Sequence, residues 1–514
     1  MLSTPPPGRG SIARPAGHAS KKLRPLVGDA GNQLGRWTFV SKYTPLGSSS
    51  PLMAHPLIAP TRRAVTAALA ATMAGFGRMS LAQTAVPAET LRAAMARIRL
   101  RGDQSAETDV WTINGQAPGR PIRMRQGQET RLKVINELPL PLAFHWHGLR
   151  GANETDGVGG LTQDPIAPGG SFEYRLMPQE AGTFLVRPCV IGGSAELAER
   201  GLQAVLIAEE AEPPKVDYDL PILIDDWRLN DDGSLAPFGS GLEVALSGRL
   251  GNLLTVNGAP VPAQVEVAPG ARVRLRLVNA CNARVMRLRF DDLRPYVVAV
   301  DSHPTDKFEP LRSALPFAPG TRYDLILDMP DEAGVTGKVT AMVGEGVPLV
   351  TLVTAGQPAA SARPALPPLG PLPPDRRLPA AIKLQNATRK DLVIRGSDRL
   401  TGAGTASGGA WKINGTPGSR DMPPLLTVKR DTPVVLTIRN ETPLVQCLHL
   451  HGHAFRLLHA FDDGWEPYWL DTLQVPENRT VRIAFQADNP GRWLLASTVL
   501  ERFDAGLWTW VEVT

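Results

Sequence analysis

Alternation and repetition together predict an all-β chain folded into three similar β-sandwiches. From residue 83 onward, short runs of Val, Ile, Leu and Thr alternate with polar residues and are cut by Gly, Pro, Asn and Asp, the period of half-buried strands separated by turns. One phrase then occurs three times. Ile113-Asn114-Gly115 precedes a run ending Lys133-Val134-Ile135-Asn136, Val256-Asn257-Gly258 one ending Arg276-Leu277-Val278-Asn279, and Ile413-Asn414-Gly415 one ending Thr437-Ile438-Arg439-Asn440. Each copy reads as a turn followed by two alternating strands, the second closing on asparagine.

The first 82 residues stand outside that pattern, being rich in Pro, Ser and Arg with little apolar periodicity. Within them Thr61-Arg62-Arg63 precedes an apolar run from Ala64 to Phe76, and Ser80-Leu81-Ala82 has the small-x-small form of a cleavage site. The run is too short for an ordinary membrane anchor, so no transmembrane segment is expected once a signal is removed. Twin arginines in this setting predict export of an already folded protein to the periplasm, the alternative being an Ala-rich amphipathic N-terminal helix. Met53 lies just upstream and is a candidate for the true start.

The spacers divide the remainder. The first sandwich is expected over residues 83–212, ending where Glu212-Pro213-Pro214 breaks the pattern, and the second over 213–356. A Pro-rich, semi-rigid connector over 357–385 leads to the third, 386–514.

Charge and motifs exclude several functions. Residues 1–82 hold ten Lys/Arg and one acidic residue, Asp29, so they carry +9 of a chain whose net charge is +5, and the rest is −4. The basic pI of 9.2 is therefore no argument for a nucleic-acid partner. There is no Walker loop, nucleophile elbow, HExxH or basic patch interleaved with aromatics. Three cysteines, Cys189, Cys281 and Cys447, leave at least one thiol unpaired, so disulfides are not the stabilising device.

Chemistry concentrates in the histidines, most of which lie in or beside two segments, His145-Trp146-His147-Gly148 and Gln446-Cys447-Leu448-His449-Leu450-His451-Gly452-His453. Two imidazoles at i and i+2 on a strand share a face, the geometry of a paired metal ligand. The middle copy has no such pair, carrying Asn282, Val285 and Arg287 instead. A site between the first and third domains follows.

These residues resemble those of the three-domain multicopper oxidases, the laccases and bacterial copper oxidases built from cupredoxin-like Greek-key sandwiches. Phe144-His145-Trp146-His147-Gly148, Asp156-Gly157, Gly182-Thr183-Phe184, Gly201-Leu202, His449-Leu450-His451-Gly452, Asp471-Thr472 and Asp488-Asn489-Pro490-Gly491-Arg492-Trp493 stand where that family's landmarks stand. By resemblance His145 and His449 match type 2 copper ligands, His147 and His451 match type 3 ligands, and Asp156 matches the acid that supports them. Most other ligand positions are lost. Arg187 and Cys189 stand for two type 3 histidines; Gln446 stands for the leading type 1 histidine; Ala496, Ser497 and Thr498 replace the His-Cys-His triplet; Arg502 and Leu507 stand at the remaining type 1 positions.

A type 1 site requires a thiolate and two imidazoles. With Gln446, Ser497 and Arg502 in their place the resemblance implies that electrons cannot enter, and Arg187 sets a permanent cation where a ligand belonged. Two functions follow. One is a copper-free or copper-poor exported cupredoxin protein that acts through its surface on cell-envelope proteins, like the degenerate twin-arginine-exported homologue that supports bacterial division. The other is a copper-handling protein or reduced oxidoreductase holding one ion on His145, His147, His449 and His451, with Cys189 able to join as thiolate. Against the second stands an inherited cluster, hydrogen-bonded across the domain interface and binding nothing. His303, His453 and His459 are read as ordinary polar residues.

Overall fold

The computed structural model describes residues 88–238, 246–358, 368–396, 410–460, 462 and 464–514. The leader with Met53, Arg62 and Arg63 lies outside the described residues, as does 359–367 of the connector.

Among the described residues there are six sheets, two for each repeat. In the first, one sheet orders Thr108–Ile113, Glu89–Ile98, Thr130–Asn136 and Ser171–Leu176, and the other Ile122–Arg125, Ala204–Glu209, Gly182–Pro188 and Phe144–His147. The second repeat builds sheets of seven and five strands and the third two of five. Corresponding strands pair in the same sense: Glu89–Ile98 with Thr130–Asn136, Tyr218–Trp227 with Arg272–Asn279 and Thr388–Gly396 with Thr432–Asn440 are all parallel. Parallel neighbours inside otherwise antiparallel sheets need a crossover between the two layers. The strands after each Asn-Gly turn accordingly enter opposite sheets. Each sandwich closes on its own apolar core, around Trp146 and Phe184, Leu275 and Phe317, and Trp411 and Phe485.

The repeated phrase is backbone chemistry. Asn114, Asn257 and Asn414 have φ of 53°, 51° and 51°, a left-handed conformation that Asn and Gly tolerate best. Each side-chain oxygen accepts one amide of the neighbouring strand, from Arg92, Leu223 and Val393, while each amide group donates two residues back, to Thr90, Pro221 and Asp391. The closing asparagines are equally uniform: Asn136, Asn279 and Asn440 each accept the amide of residue i+2 and donate to loop carbonyls. A lost buried bond of this kind costs about 1–3 kcal/mol, so three copies keep the same asparagine for stability alone.

The described part of the connector is packed rather than free. Leu372 joins a cluster with Val298 and Ile326, while Ile382 and Leu384 pack on Leu458 and Trp469. No helix among the described residues is long and apolar enough to cross a membrane.

Candidate metal centre

Two strands from the ends of the chain meet here. Phe144–His147 pairs antiparallel with Gly182–Pro188, which sets His145 opposite Arg187. Gln446–Leu450 lies between Thr472–Val475 and Gly491–Ser497, and His451 follows its last residue. Each histidine pair ends in a glycine with positive φ, Gly148 at 93° and Gly452 at 66°. A Cβ would strike the Arg322 guanidinium at the first and the Trp493 ring at the second, so the chain can turn away only with glycine there.

All four histidines are buried, and their rings form two stacks. His145 lies on His451 with centroids 3.8 Å apart, and His147 on His449 at 3.7 Å. The stacks meet where Nε2 of His145 and Nε2 of His449 are 3.4 Å apart.

Hydrogen bonding fixes which nitrogens are bare. His145 Nδ1 is 2.7 Å from the Asp156 carbonyl oxygen and His449 Nδ1 is 2.9 Å from that of Asp471. A carbonyl only accepts, so both Nδ1 atoms carry hydrogen and both facing Nε2 atoms present lone pairs. His451 Nδ1 donates to Asp156 Oδ2 at 2.9 Å, leaving its Nε2 bare. On His147 the pattern reverses: Thr472 Oγ1 donates to Asp471 Oδ1, so His147 Nε2 donates to Thr472 Oγ1 at 2.9 Å, and the Nδ1 lone pair has no partner although the ring is fully buried. Two lone pairs facing each other without a proton between them repel. A cation placed between them removes the repulsion, and 3.4 Å is a span that two ligands each about 2 Å from one ion readily make. His145, His147 and His449 bring ligand atoms within 4.8 Å of one another, as do His145, Asp156 and His451. Neutral imidazoles in this number suit copper or zinc.

Electrostatics keep His147, His449 and His451 neutral. Burial, reinforced by His449 and Arg187, holds His147 well below the ordinary histidine range, and burial with His145 brings His451 down to about 3. His449 is lowered by burial against the opposing pull of Asp471. Burial alone would raise Asp156, but the imidazoles of His451 and His145 outweigh it and keep the carboxyl ionised. Carboxylates behind metal-binding histidines orient the ring and raise its basicity.

The middle domain supplies the floor, which sequence reading missed. Arg322 holds Asp471 through Nη1 and Nη2 at 2.9 and 2.5 Å, and Asp301 accepts the amides of Asp471 and Thr472. Asp471-Thr472 is legible as a family landmark. Arg322 and Asp301 carry no motif; the only signal is a turn at Asp301-Ser302, where both φ values are positive.

The positions that the resemblance assigns to the other copper ligands fall into two groups. At the type 1 positions Arg502 Nη1 donates to Gln446 Oε1 at 3.0 Å and to the Val445 carbonyl at 2.6 Å, Arg502 Nε donates to the Leu246 carbonyl, and the guanidinium lies 5.1 Å over the Trp411 ring. Gln446 Nε2 donates to Thr442 Oγ1, Ser497 Oγ accepts the Val499 amide, and Leu507 is buried in the third core. At the type 3 positions Cys189 and Ala496 pack together with Val158, Leu494, Phe503 and Trp508. Cys189, expected as a candidate thiolate beside the histidines, belongs to no group of converging ligand atoms among the described residues, and burial pushes its thiol up. All three cysteines are free. His453 is buried with its ring edge-on to Trp493, His303 is buried at the start of His303–Phe308, and His459 is exposed beside Asp462.

Family models described as multicopper oxidase match residues 94–212, 219–337 and 388–514. The multicopper oxidase MmcO of Mycobacterium tuberculosis is 28% identical over 437 residues, 79% of this chain and 83% of that one. The cell division protein FtsP of Proteus mirabilis is 31% identical over 244 residues, 46% of this chain and half of its own. The crystal structure of a multi-copper oxidase from Pseudomonas thermotolerans superimposes with a TM-score of 0.73 at 30% identity, covering 83% of this chain and 99% of that one. With three matched domains in three cupredoxin-like sandwiches, and the histidine pairs of the first and third converging at one interface, this chain belongs to the multicopper oxidase family.

Proposed function

We propose that this protein is an exported, periplasmic member of the family that no longer works as an oxidase and acts by binding, holding at most one or a few metal ions, copper by preference, at its four-histidine cluster. The observation that carries the loss of oxidase activity is the Arg502–Gln446 pair. A buried guanidinium bonded to the amide that stands for a histidine, with Ser497 for the thiolate, leaves no donor able to hold the copper through which electrons enter. The observation that favours retained metal binding is the pair of facing Nε2 lone pairs on His145 and His449. Copper bound there would supply a Lewis-acid or one-electron centre. The chain's own part is to hold it: His145, His449, His451 and His147 present the donors, Asp156 and Asp471 orient the rings, and the domain interface excludes water.

The likeness to FtsP makes cell-envelope proteins, those of division among them, the partners to seek. Elemental analysis of the purified chain after copper loading and exhaustive dialysis tests the metal reading, with about one copper per chain expected. Oxygen uptake with a phenol or Cu(I) as donor tests the other half. Copper-dependent turnover, or the intense blue of a thiolate-bound copper, would overturn the loss of oxidase function.

A further inference from the structure

Arg187 is a cation buried without a matching anion. It is 6% exposed, and its one hydrogen bond runs from Nη1 to the Thr498 carbonyl at 3.5 Å. Among the described residues no carboxylate lies within 4 Å of it. Arg322, by contrast, is spent on Asp471, and Asp156 on the imidazoles of His145 and His451. Glu501 is close enough to feel the guanidinium but bonds Asn282 through Oε1, leaving Oε2 without a partner. His147 Nδ1, on the strand paired with that of Arg187, has no partner either. Buried charges are stable only when neutralised and hydrogen-bonded. A divalent ion on neutral imidazoles would add two more positive charges to this interface.

We propose that Arg187 anchors a small planar oxyanion, of the formate or bicarbonate class, beside the histidine cluster, and that this anion and the metal bind cooperatively. The guanidinium presents a planar fork of donors that matches a carboxylate edge bidentately. Each ligand relieves the charge the other leaves, and such coupling is reciprocal by linkage. This inference rests on the metal reading above for its cooperative half, while the anion site itself stands on Arg187.

The test measures Cu(II) affinity of the full chain against a chromophoric chelator, in a buffer whose only anion is a bulky sulfonate, then with formate or bicarbonate added. Copper is expected to bind about tenfold tighter with either oxyanion, with a changed electron paramagnetic resonance spectrum. Arg187→Gln should lose that dependence and bind copper better than wild type when no oxyanion is present. Arg187→Lys keeps the charge without the fork, should show a weaker dependence, and serves if the glutamine variant does not fold. Copper held with equal affinity in every buffer overturns the anion site and leaves the metal reading standing. Copper held in none removes the metal reading, and carbon-13 formate titrated into the metal-free chain then decides: line broadening abolished by Arg187→Gln upholds the anion site, and its absence in the wild type overturns it.

Discussion

The positions that the resemblance assigns to type 1 copper lie in the third domain, the histidine cluster lies between the first and the third, and the two stand in opposite chemical states. At the type 1 locus the replacements satisfy one another: Arg502 bonds Gln446 and two carbonyls, Gln446 bonds Thr442, and Ser497 caps the Val499 amide. At the cluster the remaining histidines satisfy the protein on their outer nitrogens and leave their inner ones bare. A locus closed by its own hydrogen bonds is structure. Unpaired lone pairs in a buried interface cost about 1–3 kcal/mol each when nothing meets them, so the cluster is held together at a cost the type 1 positions do not carry.

The sharpest way to break that contrast is to remove the bare nitrogens. The double substitution His145→Ala and His449→Ala should take copper retention from about one ion per chain to none, with an unchanged circular dichroism spectrum. Retention at the wild-type level would show that the cluster is not the site. Disturbing the closed locus should register in stability instead. Arg502→Leu leaves the Gln446 oxygen and the Val445 carbonyl buried without their donor, a loss of about 2–4 kcal/mol in chemical unfolding with copper content unchanged. A neutral outcome would mean that the arginine only fills space. Between the two lies Asp156→Asn, which keeps the shape while replacing the charged acceptor that two imidazoles share. Copper affinity should fall about tenfold or more, as losses behind metal ligands do.

The same contrast explains what the sequence made legible. Turn asparagines and strand alternation act through local backbone geometry, so the three-fold repeat and the all-β class could be read from Asn114, Asn257 and Asn414 and the runs beside them. The histidine pairs were legible because strand period fixes which residues share a face. The packing of Cys189 with Val158 and Phe503 was not legible, because no local pattern encodes it. Arg322 and Asp301 were invisible for the same reason: they reach the cluster from another domain through contacts separated by more than a hundred residues.

Buried carboxylates away from copper chemistry extend the contrast and give the smallest effect. Neither oxygen of Glu180 accepts a hydrogen bond, and burial, with Asp375 adding to it, raises the carboxyl to about 7 despite Arg150. Burial likewise lifts Glu199 to about 8, and Asp301 and Asp504 to about 7. Between the ordinary carboxylate value and about pH 7 the folded chain keeps protons that the unfolded chain has already lost. The stability these carboxyls give therefore falls as pH rises through this window and levels off above it. Asp156 and Asp471, whose carboxyls are held low, work at the other end: the stability they give is present above the ordinary value and lost as pH falls below it. The buried histidines held low, His147, His449 and His451 among them, oppose the raised carboxyls below the ordinary histidine value, so the carboxyl contribution, at most about 1.4 kcal/mol per pH unit for each group, is read from a difference between variants. Glu180→Gln imitates the protonated carboxyl, so the variant should match wild type near pH 5 and exceed it at pH 8 in urea unfolding. Equal curves at both ends would mean that Glu180 stays ionised, its charge met by Arg150 and Arg377, and that this acid is as well satisfied as the type 1 locus.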